Sequence, residues 1–563
     1  MSVDALLMNT PLMMSVIISV LVASLLLPSI LATSRPWAEL FSTQDGNWFL
    51  WSGIATMVSG IAFAVGSIAR MHDTKRPPGP RPWLRSLSSR AALGAPGDRL
   101  ATLVGFVRAY GHTTSLKAGG HPYTIVADPK VACQLLPYGT HELDRPRCPF
   151  RHLGPLGAAR DDPIAAHTRA GLSAAMEPSA VVAAAPAVLD CVRDAAERLG
   201  AQHASGRDVD LEDHVLRLSF DAMSIALLDH DSGARTAPSE DVRALDVVLR
   251  AGMHAAALPP GERAAAMAEA ERAEADVFAR AAAARKGLAA AALAPRQGGT
   301  KHPFRAQLAA MVRGRDGFDP ALSEADAAFV VGALVSVGAR ACARASLAAL
   351  RAIVRDKKLL ERVSAELDAA GRARVVGGGW EGLRQLTLLT TVIAEALRTS
   401  PVWDEPLVRE VAGKGVEVGR WFFPQHSTVL VPAAAIHNDG YFWDDVGAFD
   451  PARWDEPDAA LVRDTARAAR PLKEGAWRTW QETPVDERSG LKVQGTTQEM
   501  LAPGRPRRYM PYGLGPRQCP AENLAVVTVT ASVAALLVAC DFAWEPERLV
   551  VAGRRSSHAG KKM

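Results

Sequence analysis

At 563 residues the chain exceeds the usual size of one domain, and 48% apolar with 22% charged residues is a globular composition. A formal net charge of +4 is too small to argue for a nucleic-acid partner. Six scattered cysteines (Cys133, Cys148, Cys191, Cys342, Cys519, Cys540) form no C-x-x-C pair and no zinc spacing, which points to a reduced compartment without a disulfide framework.

The chain opens with an apolar stretch, Pro11 to Ala32, about the 20 residues needed to cross a bilayer. Asp4 is the only charge ahead of it, so the basic start of a signal peptide is missing, and no Arg-rich transit peptide is present. A second apolar run, Asn47 to Ala69, begins with Trp48 and Trp51 as interface anchors. Arg70, Lys75, Arg76, Arg81 and Arg85 follow, and the positive-inside rule then places the rest of the chain in the cytosol. The expected anchor is residues 1–70, with two spans (11–32 and 47–69) joined by a short loop, Ser34 to Gly46, on the far side. One anchor plus one interfacial helix is the alternative. The proline-rich stretch Arg76 to Trp83 cannot continue a helix and reads as an extended hinge within residues 71–85.

Residues 86–563 form the expected catalytic domain. A short helix, Leu100 to Tyr110, and a strand, Tyr123 to Val126, come first. Asp162-Pro163 then leads to His167 and Arg169, two donors spaced to meet one carboxylate ahead of an Ala/Leu/Val helix. From Leu172 to Arg313 the pattern is helical, and Glu262 to Arg285 reads as solvated helix faces. Ser323, Glu324 and Asp326 predict a helix start, and the apolar pattern continues to about Asp356, a helix of roughly 30 residues. Glu395 and Arg398 share a helix face; Pro401, Arg409, His437-Asn438-Asp439 and Phe449 to Trp454 follow in order. Residues 455–508 are a long polar insertion with Trp477, Trp480 and a basic end, Arg505 to Arg508, of the kind that is either functional or disordered. Last comes Tyr512-Gly513-Leu514-Gly515-Pro516-Arg517-Gln518-Cys519-Pro520-Ala521, with Pro520 predicted to open an apolar helix running to about Ala539. A cysteine at a helix N-terminus favours its thiolate, which can ligate iron; a buried structural cysteine beside a Gly-rich turn is the alternative for a cysteine standing alone.

Tyr512, Gly515, Arg517, Cys519 and Ala521 resemble the haem-binding loop of cytochromes P450, although the family more often has Phe and Gly at the first and last of these positions. The resemblance implies a mainly α fold with a small β-rich lobe whose strands pair across long stretches of chain. It implies haem b with Cys519 as the iron ligand, Arg517, Arg409, His167 and Arg169 at the propionates, and electron push from the thiolate toward O–O cleavage. The Pro-rich hinge, the Glu-x-x-Arg element and the Phe-x-Pro-x-Arg-Trp series fit the same family, with Glu395, Arg398 and Arg453 as a buried structural ion network. Electrons would come from NADPH through a membrane-bound reductase, with cytochrome b5 as a second donor. The site would be an endoplasmic-reticulum membrane with the catalytic domain facing the cytosol, and the substrate a hydrophobic small molecule.

The departure lies in the long helix. The family commonly carries an acid followed by an alcohol that relay protons toward dioxygen, and the matching stretch here is Val337-Gly338-Ala339-Arg340-Ala341. Gly338 is expected to let a ligand approach, and Gly338, Arg340 and Ala341 to line the oxygen side. Three readings stay open: a shifted register with Ser336 or Ser346 as the hydroxyl, protons delivered by substrate or water in an ordinary monooxygenase, or an isomerase, dehydratase or peroxygenase that does not activate dioxygen. A catalytically idle haem protein would also tolerate Arg340 and Ala341.

Overall fold

The computed structural model describes residues 75–80, 87–95, 97–136, 143–144, 168, 172, 175–207, 209–295, 303–314, 322–403, 405–454, 508–545 and 548–554. The chain divides into two compact units, Met1–Thr74 and Lys75–Met563, and all described residues belong to the second. The expected spans at 11–32 and 47–69, His167, Arg169 and nearly all of the 455–508 insertion lie outside the described residues.

The fold is mainly helical with a small β lobe. Its principal elements are α1 (Arg99–Tyr110), β1 (Thr113–Ala118), β2 (His121–Val126), β3 (Leu143–Asp144), α2 (Pro178–Ala204), α3 (Leu211–Leu228), α4 (Glu240–Ala256), α5 (Pro260–Ala273) and α6 (Ala275–Leu293). They continue with α7 (Glu324–Arg355), α8 (Lys357–Ala370), α9 (Thr387–Thr399), β4 (Leu407–Val411), β5 (Val416–Val418), β6 (Trp421–Phe423), β7 (Thr428–Val431), α10 (Glu522–Ala539), β8 (Cys540–Glu545) and β9 (Arg548–Arg554).

Helix α7, 32 residues and about 48 Å long, is the axis of the domain. Ser323 caps it by accepting the Asp326 N–H at 3.1 Å, and Glu324 and Asp326 in the first turn oppose the helix dipole. Asp356 closes α7 and starts α8, accepting from the N–H groups of Lys358 and Leu359 at 2.9 and 3.2 Å. Helix α10 is apolar nearly all round and buried along its length, as a core helix must be. Among the described residues α7 and α10 are the helices long and apolar enough to cross a membrane, and both are mostly buried in the domain core.

The main sheet has strand order β1-β2-β7-β4-β3. Strand β2 pairs in parallel with β7, Tyr123 opposite Thr428, so the start of the domain is built from chain some 300 residues later. The turn Gly119-Gly120 takes positive φ at both residues, the geometry of a tight hairpin between β1 and β2.

The described part of the proline-rich segment is laid against the sheet. The Pro78 carbonyl accepts from Ser115 N at 2.8 Å and Thr114 Oγ1 at 2.6 Å, and Lys75 O accepts from Phe422 N at 2.7 Å. A Cβ at Gly79 would lie 1.7 Å from the Ser115 carbonyl oxygen, so only glycine fits there. The faces expected to be solvated from Glu262 to Arg285 are so at Glu262, Glu269, Glu271, Arg272, Asp276 and Arg280; the stretch breaks at Glu274 into α5 and α6, and Arg263 and Arg285 are the exceptions, both buried. Arg263 Nη1 pairs with Glu410 Oε1 of β4 at 2.7 Å, and Arg285 lies 4.8 Å from the Phe329 ring of α7. A helix rich in Ala, Glu and Arg carries little pattern to separate its faces; tertiary partners decided them.

Helix α3 packs against α7 through Gly338, where a Cβ would meet Met223 Sδ at 2.7 Å and Cγ at 2.9 Å. Gly338 is thus a close-packing position against α3. Gly338→Val is expected to cost about 1–3 kcal/mol by overpacking, measured as a lower denaturation midpoint. Adding Met223→Ala should recover part of the loss; an unchanged midpoint in the single variant refutes the contact.

Candidate haem-thiolate site

Three segments meet around Cys519. The first is its own loop. Gly513 and Gly515 take φ of 74° and 72°, the left-handed region that glycine enters freely, and a 3₁₀ turn runs over Gly515–Arg517. The Cys519 N–H donates to the Tyr512 carbonyl at 2.8 Å and the Gln518 N–H to Gly515 O at 2.9 Å, closing the loop on itself. Helix α10 begins at Glu522 with Ala521 as its cap, so Pro520 precedes the helix and does not open it. Gln518 Nε2 reaches the first helical residue, Glu522, at 2.8 Å. Cys519 and Tyr512 are half-buried and Arg517 is buried.

The second segment is the frame under the loop. Glu395, fully buried on α9, accepts from Arg398 Nε at 3.0 Å and Nη2 at 2.8 Å, and from Arg453 Nε at 3.1 Å. It also accepts from Trp454 Nε1 at 3.0 Å and the Asp450 N–H at 3.1 Å. Arg398 spends its remaining donors on the carbonyls of His437, Val446 and Ala448, and Arg453 on those of Asp444 and Asp445. Each buried charge is thereby paired and saturated, the condition for keeping it in a core. Sequence reasoning missed how this frame grips the cysteine loop. The Met510 N–H donates to His437 Nε2 at 2.9 Å, Tyr509 OH donates to the Ala394 carbonyl at 3.1 Å, and the Arg508 guanidinium lies 4.4 Å from the Trp443 ring. Burial, with Arg398 nearby, pushes the His437 imidazole down to about 3, so it stays neutral and able to accept.

The third segment is the middle of α7. Val337 and Ala341 are half-buried, whereas the turns before them are buried, and the two share a face at i and i+4. Cys342, the next residue, is buried, and its thiol is pushed up to about 12, first by burial and then by the charge of Cys519. Cys342 therefore lies within electrostatic reach of Cys519. The guanidinium of Arg340 is engaged on α4: its Nη1 donates to both carboxylate oxygens of Asp246, at 2.8 and 2.9 Å. Asp246 was not singled out from the sequence, where its one visible signal is the helical pair with Arg250, here 3.2 Å apart. Ser336 donates to Gly332 O at 2.6 Å within its own helix, so it does not stand in for the absent alcohol. Strand β4 borders the same loop, with Leu407 Cδ1 3.8 Å from a Cβ placed on Gly513, and Arg409, buried two residues on, donates from Nη1 to the Val408 carbonyl at 2.8 Å.

A family model for cytochrome P450 matches residues 77–551. The chain belongs to the cytochrome P450 family. It is similar to cytochrome P450 705A22 of Arabidopsis thaliana, 25% identical over 198 residues, which is 35% of this chain and 31% of that protein. It is also similar to flavonoid 3'-monooxygenase of Petunia hybrida, 27% identical over 198 residues (35% of this chain, 30% of the relative). Oryzalexin E synthase of Oryza sativa subsp. japonica is 28% identical over 197 residues (35% and 31%). The chain thus spans about a third of the length of the curated relatives it matches.

P450 proteins use haem with a thiolate-ligated iron, and the residues here fit such a group. A half-buried thiol sits in a closed loop, and a buried Arg517 lies two residues before it.

Two outcomes follow for this P450 frame. Glu395→Gln leaves two buried guanidinium groups short of their counter-charge, and a loss of about 3–5 kcal/mol is expected in chemical denaturation. A loss below about 1 kcal/mol would refute the network's role. For His437, with a pKa of about 3 folded against 6.5 for the ordinary side chain, the unfolded chain binds the extra proton first. Its contribution is therefore complete above pH 6.5 and falls by about 1.4 kcal/mol per pH unit as pH drops toward the folded value. His437→Gln keeps an acceptor for Met510, and its stability–pH curve should be flatter between pH 6 and pH 4 by about that slope. An identical curve rules the histidine out.

Proposed function

We propose that the protein is a haem-thiolate monooxygenase in which Cys519 holds the haem iron. When bound, the haem supplies dioxygen activation, driven by electron donation from the thiolate. The arrangement that carries this reading is the Cys519 loop, gripped by the Glu395 frame through His437 and Tyr509. Arg517 and Arg409 would neutralise the propionates, together with His167 and Arg169, which lie outside the described residues. Tyr512 and Gly515 shape the loop: the Tyr512 carbonyl takes the Cys519 N–H, and Gly515 permits the turn. Val337 and Ala341, half-buried on α7, would offer hydrocarbon contact to a substrate.

The substrate class is a hydrophobic small molecule, such as a sterol, terpenoid, fatty acid or other secondary metabolite. The names of the flavonoid 3'-monooxygenase and oryzalexin E synthase relatives are compatible with that class. NADPH would supply electrons through a P450 reductase, with cytochrome b5 as a second donor. The apolar stretches 11–32 and 47–69 would anchor the protein in the endoplasmic reticulum, catalytic domain toward the cytosol. A second reading, a P450 that does not activate dioxygen, is favoured by one observation: Arg340 and Ala341 offer neither acid nor alcohol, and Arg340 is held by Asp246. In the first reading substrate or ordered water supplies the protons; in the second none are needed.

The test is the reduced carbon-monoxide difference spectrum of wild type and Cys519→Ser, followed by reductase-driven NADPH oxidation with candidate apolar substrates. A thiolate-type Soret band present in wild type and lost in the variant is expected, and its absence from wild type refutes the haem-thiolate site. Product formed in step with NADPH consumption supports the monooxygenase; product formed without NADPH supports the second reading.

A further inference from the structure

Helix α4 ends at a charged junction built from three segments. Arg99, the first residue of α1, is buried and donates from Nε to the Leu93 carbonyl and from Nη1 to the His254 carbonyl, both at 3.2 Å. Its Nη1 also pairs with Glu405 ahead of β4, and its Nη2 lies 2.9 Å from His254 Nδ1. A guanidinium can only donate, so Nδ1 is the bare, accepting nitrogen and the ring proton sits on Nε2. The second proton of an imidazolium must therefore land on Nδ1, where Arg99 already stands. Donor would face donor, and cation would face a buried cation. Glu405 Oε1 lies 3.9 Å from the same nitrogen and is a carboxylate to which a charged ring can turn. We infer that His254 is a pH-sensitive latch. Neutral, it ties the last turn of α4 to Arg99; protonated, it lets Arg99 go and turns to Glu405.

The charges around α4 leave this histidine as the titrating member. On α4 itself Asp246 holds both Arg250 and Arg340 of α7. Near its start Asp241 faces Arg280 of α6, and Arg243 faces Asp213 of α3. Across the corner, Glu410 takes Arg263 of α5 and Ser89 donates to Glu262. Burial pushes the Tyr123 hydroxyl of β2 up, so it keeps the proton that it donates to the Ala257 carbonyl. Burial also holds His121 of β2, bonded to Thr428, below the usual histidine range. His254 is 23% exposed, so solvent protons reach it while Arg99 stays covered. Its release removes one of two holds on α4, the other being Asp246 on Arg340. It also acts on Glu405, two residues ahead of Leu407, which borders the cysteine loop at Gly513. Acid thereby loosens the α4–α5 corner and the entry to β4 together.

The test is amide hydrogen exchange of the full-length holoprotein in detergent micelles between about pH 8 and about pH 5. It is read on peptides covering residues 250–258, after correction for intrinsic exchange. Wild type is compared with His254→Gln, whose amide oxygen can accept from Arg99 but takes no proton, and with His254→Lys, a fixed cation. Opening admits one proton, so exchange in wild type is expected to rise by up to about tenfold per pH unit below about pH 6.5. His254→Gln should lack that rise, and His254→Lys should exchange fast already at about pH 8. Any loss of stability through His437 is common to wild type and His254→Gln, so the difference between them isolates the latch. Equal slopes in those two proteins overturn the inference. An acid-induced rise in peptides of α10 that matches the rise in α4 also overturns it, because that is general unfolding. Should the lysine variant fail to fold, the glutamine comparison alone decides.

Discussion

The domain depends on one buried carboxylate. Glu395 gathers five donors from α9, from the 3₁₀ turn Pro451–Trp454 and from the residue before it, and the two arginines it satisfies spend their other donors on carbonyls between His437 and Ala448. A segment with little regular structure is thus held by ion pairs and carbonyl bonds where helix packing is not available. Through His437 and Tyr509 the same frame reaches the start of the cysteine loop. The position of Cys519 is inherited from Glu395, a residue far outside its own loop.

The opposite wall is set by packing. Helix α7 is drawn close to α3 because Gly338 lacks a side chain and Met223 fills the space. On the same stretch of α7, Arg340 turns to α4 and pairs with Asp246. One glycine therefore sets how closely α3 and α7 approach.

Much of this was legible before any coordinates. The bounds of α7 follow from Ser323 and its early acids at one end and Asp356 at the other, because capping is a local property. The cysteine loop was legible through the resemblance of its Tyr, Gly, Arg and Cys spacing to a family motif, and Gly515 takes the positive φ that the turn needs. The pairing of β2 with later strands was an expectation from the family resemblance, and β7 supplies that partner. What stayed hidden was tertiary choice. Asp246 is one acid on a helix that carries others, and nothing along the chain says it will meet Arg340. Arg263 and Arg285 looked solvated because their helices lack an apolar stripe, yet Glu410 and Phe329 drew them inward. Gly79 read as part of a hinge, and its close approach to Ser115 appears only once β1 is in place.

Helix α4 joins these themes, because it is tied to the frame at two separated points. At its middle Asp246 binds Arg340 of α7; in its last turn His254 Nδ1 lies 2.9 Å from Arg99 Nη2 of α1, and Arg99 also pairs with Glu405 just ahead of β4. Beyond its end the Ala257 carbonyl accepts from Tyr123 OH of β2 at 3.2 Å, and Arg263 of α5 closes the corner on Glu410. Most of these partners are charged and poorly exposed, so shifting α4 requires separating ions that the interior cannot resolvate. Apolar contacts slide at little cost, but charged pairs of this kind have few alternative registers. Helix α4 is consequently held by electrostatics at its middle and in its last turn, and by shape between those points.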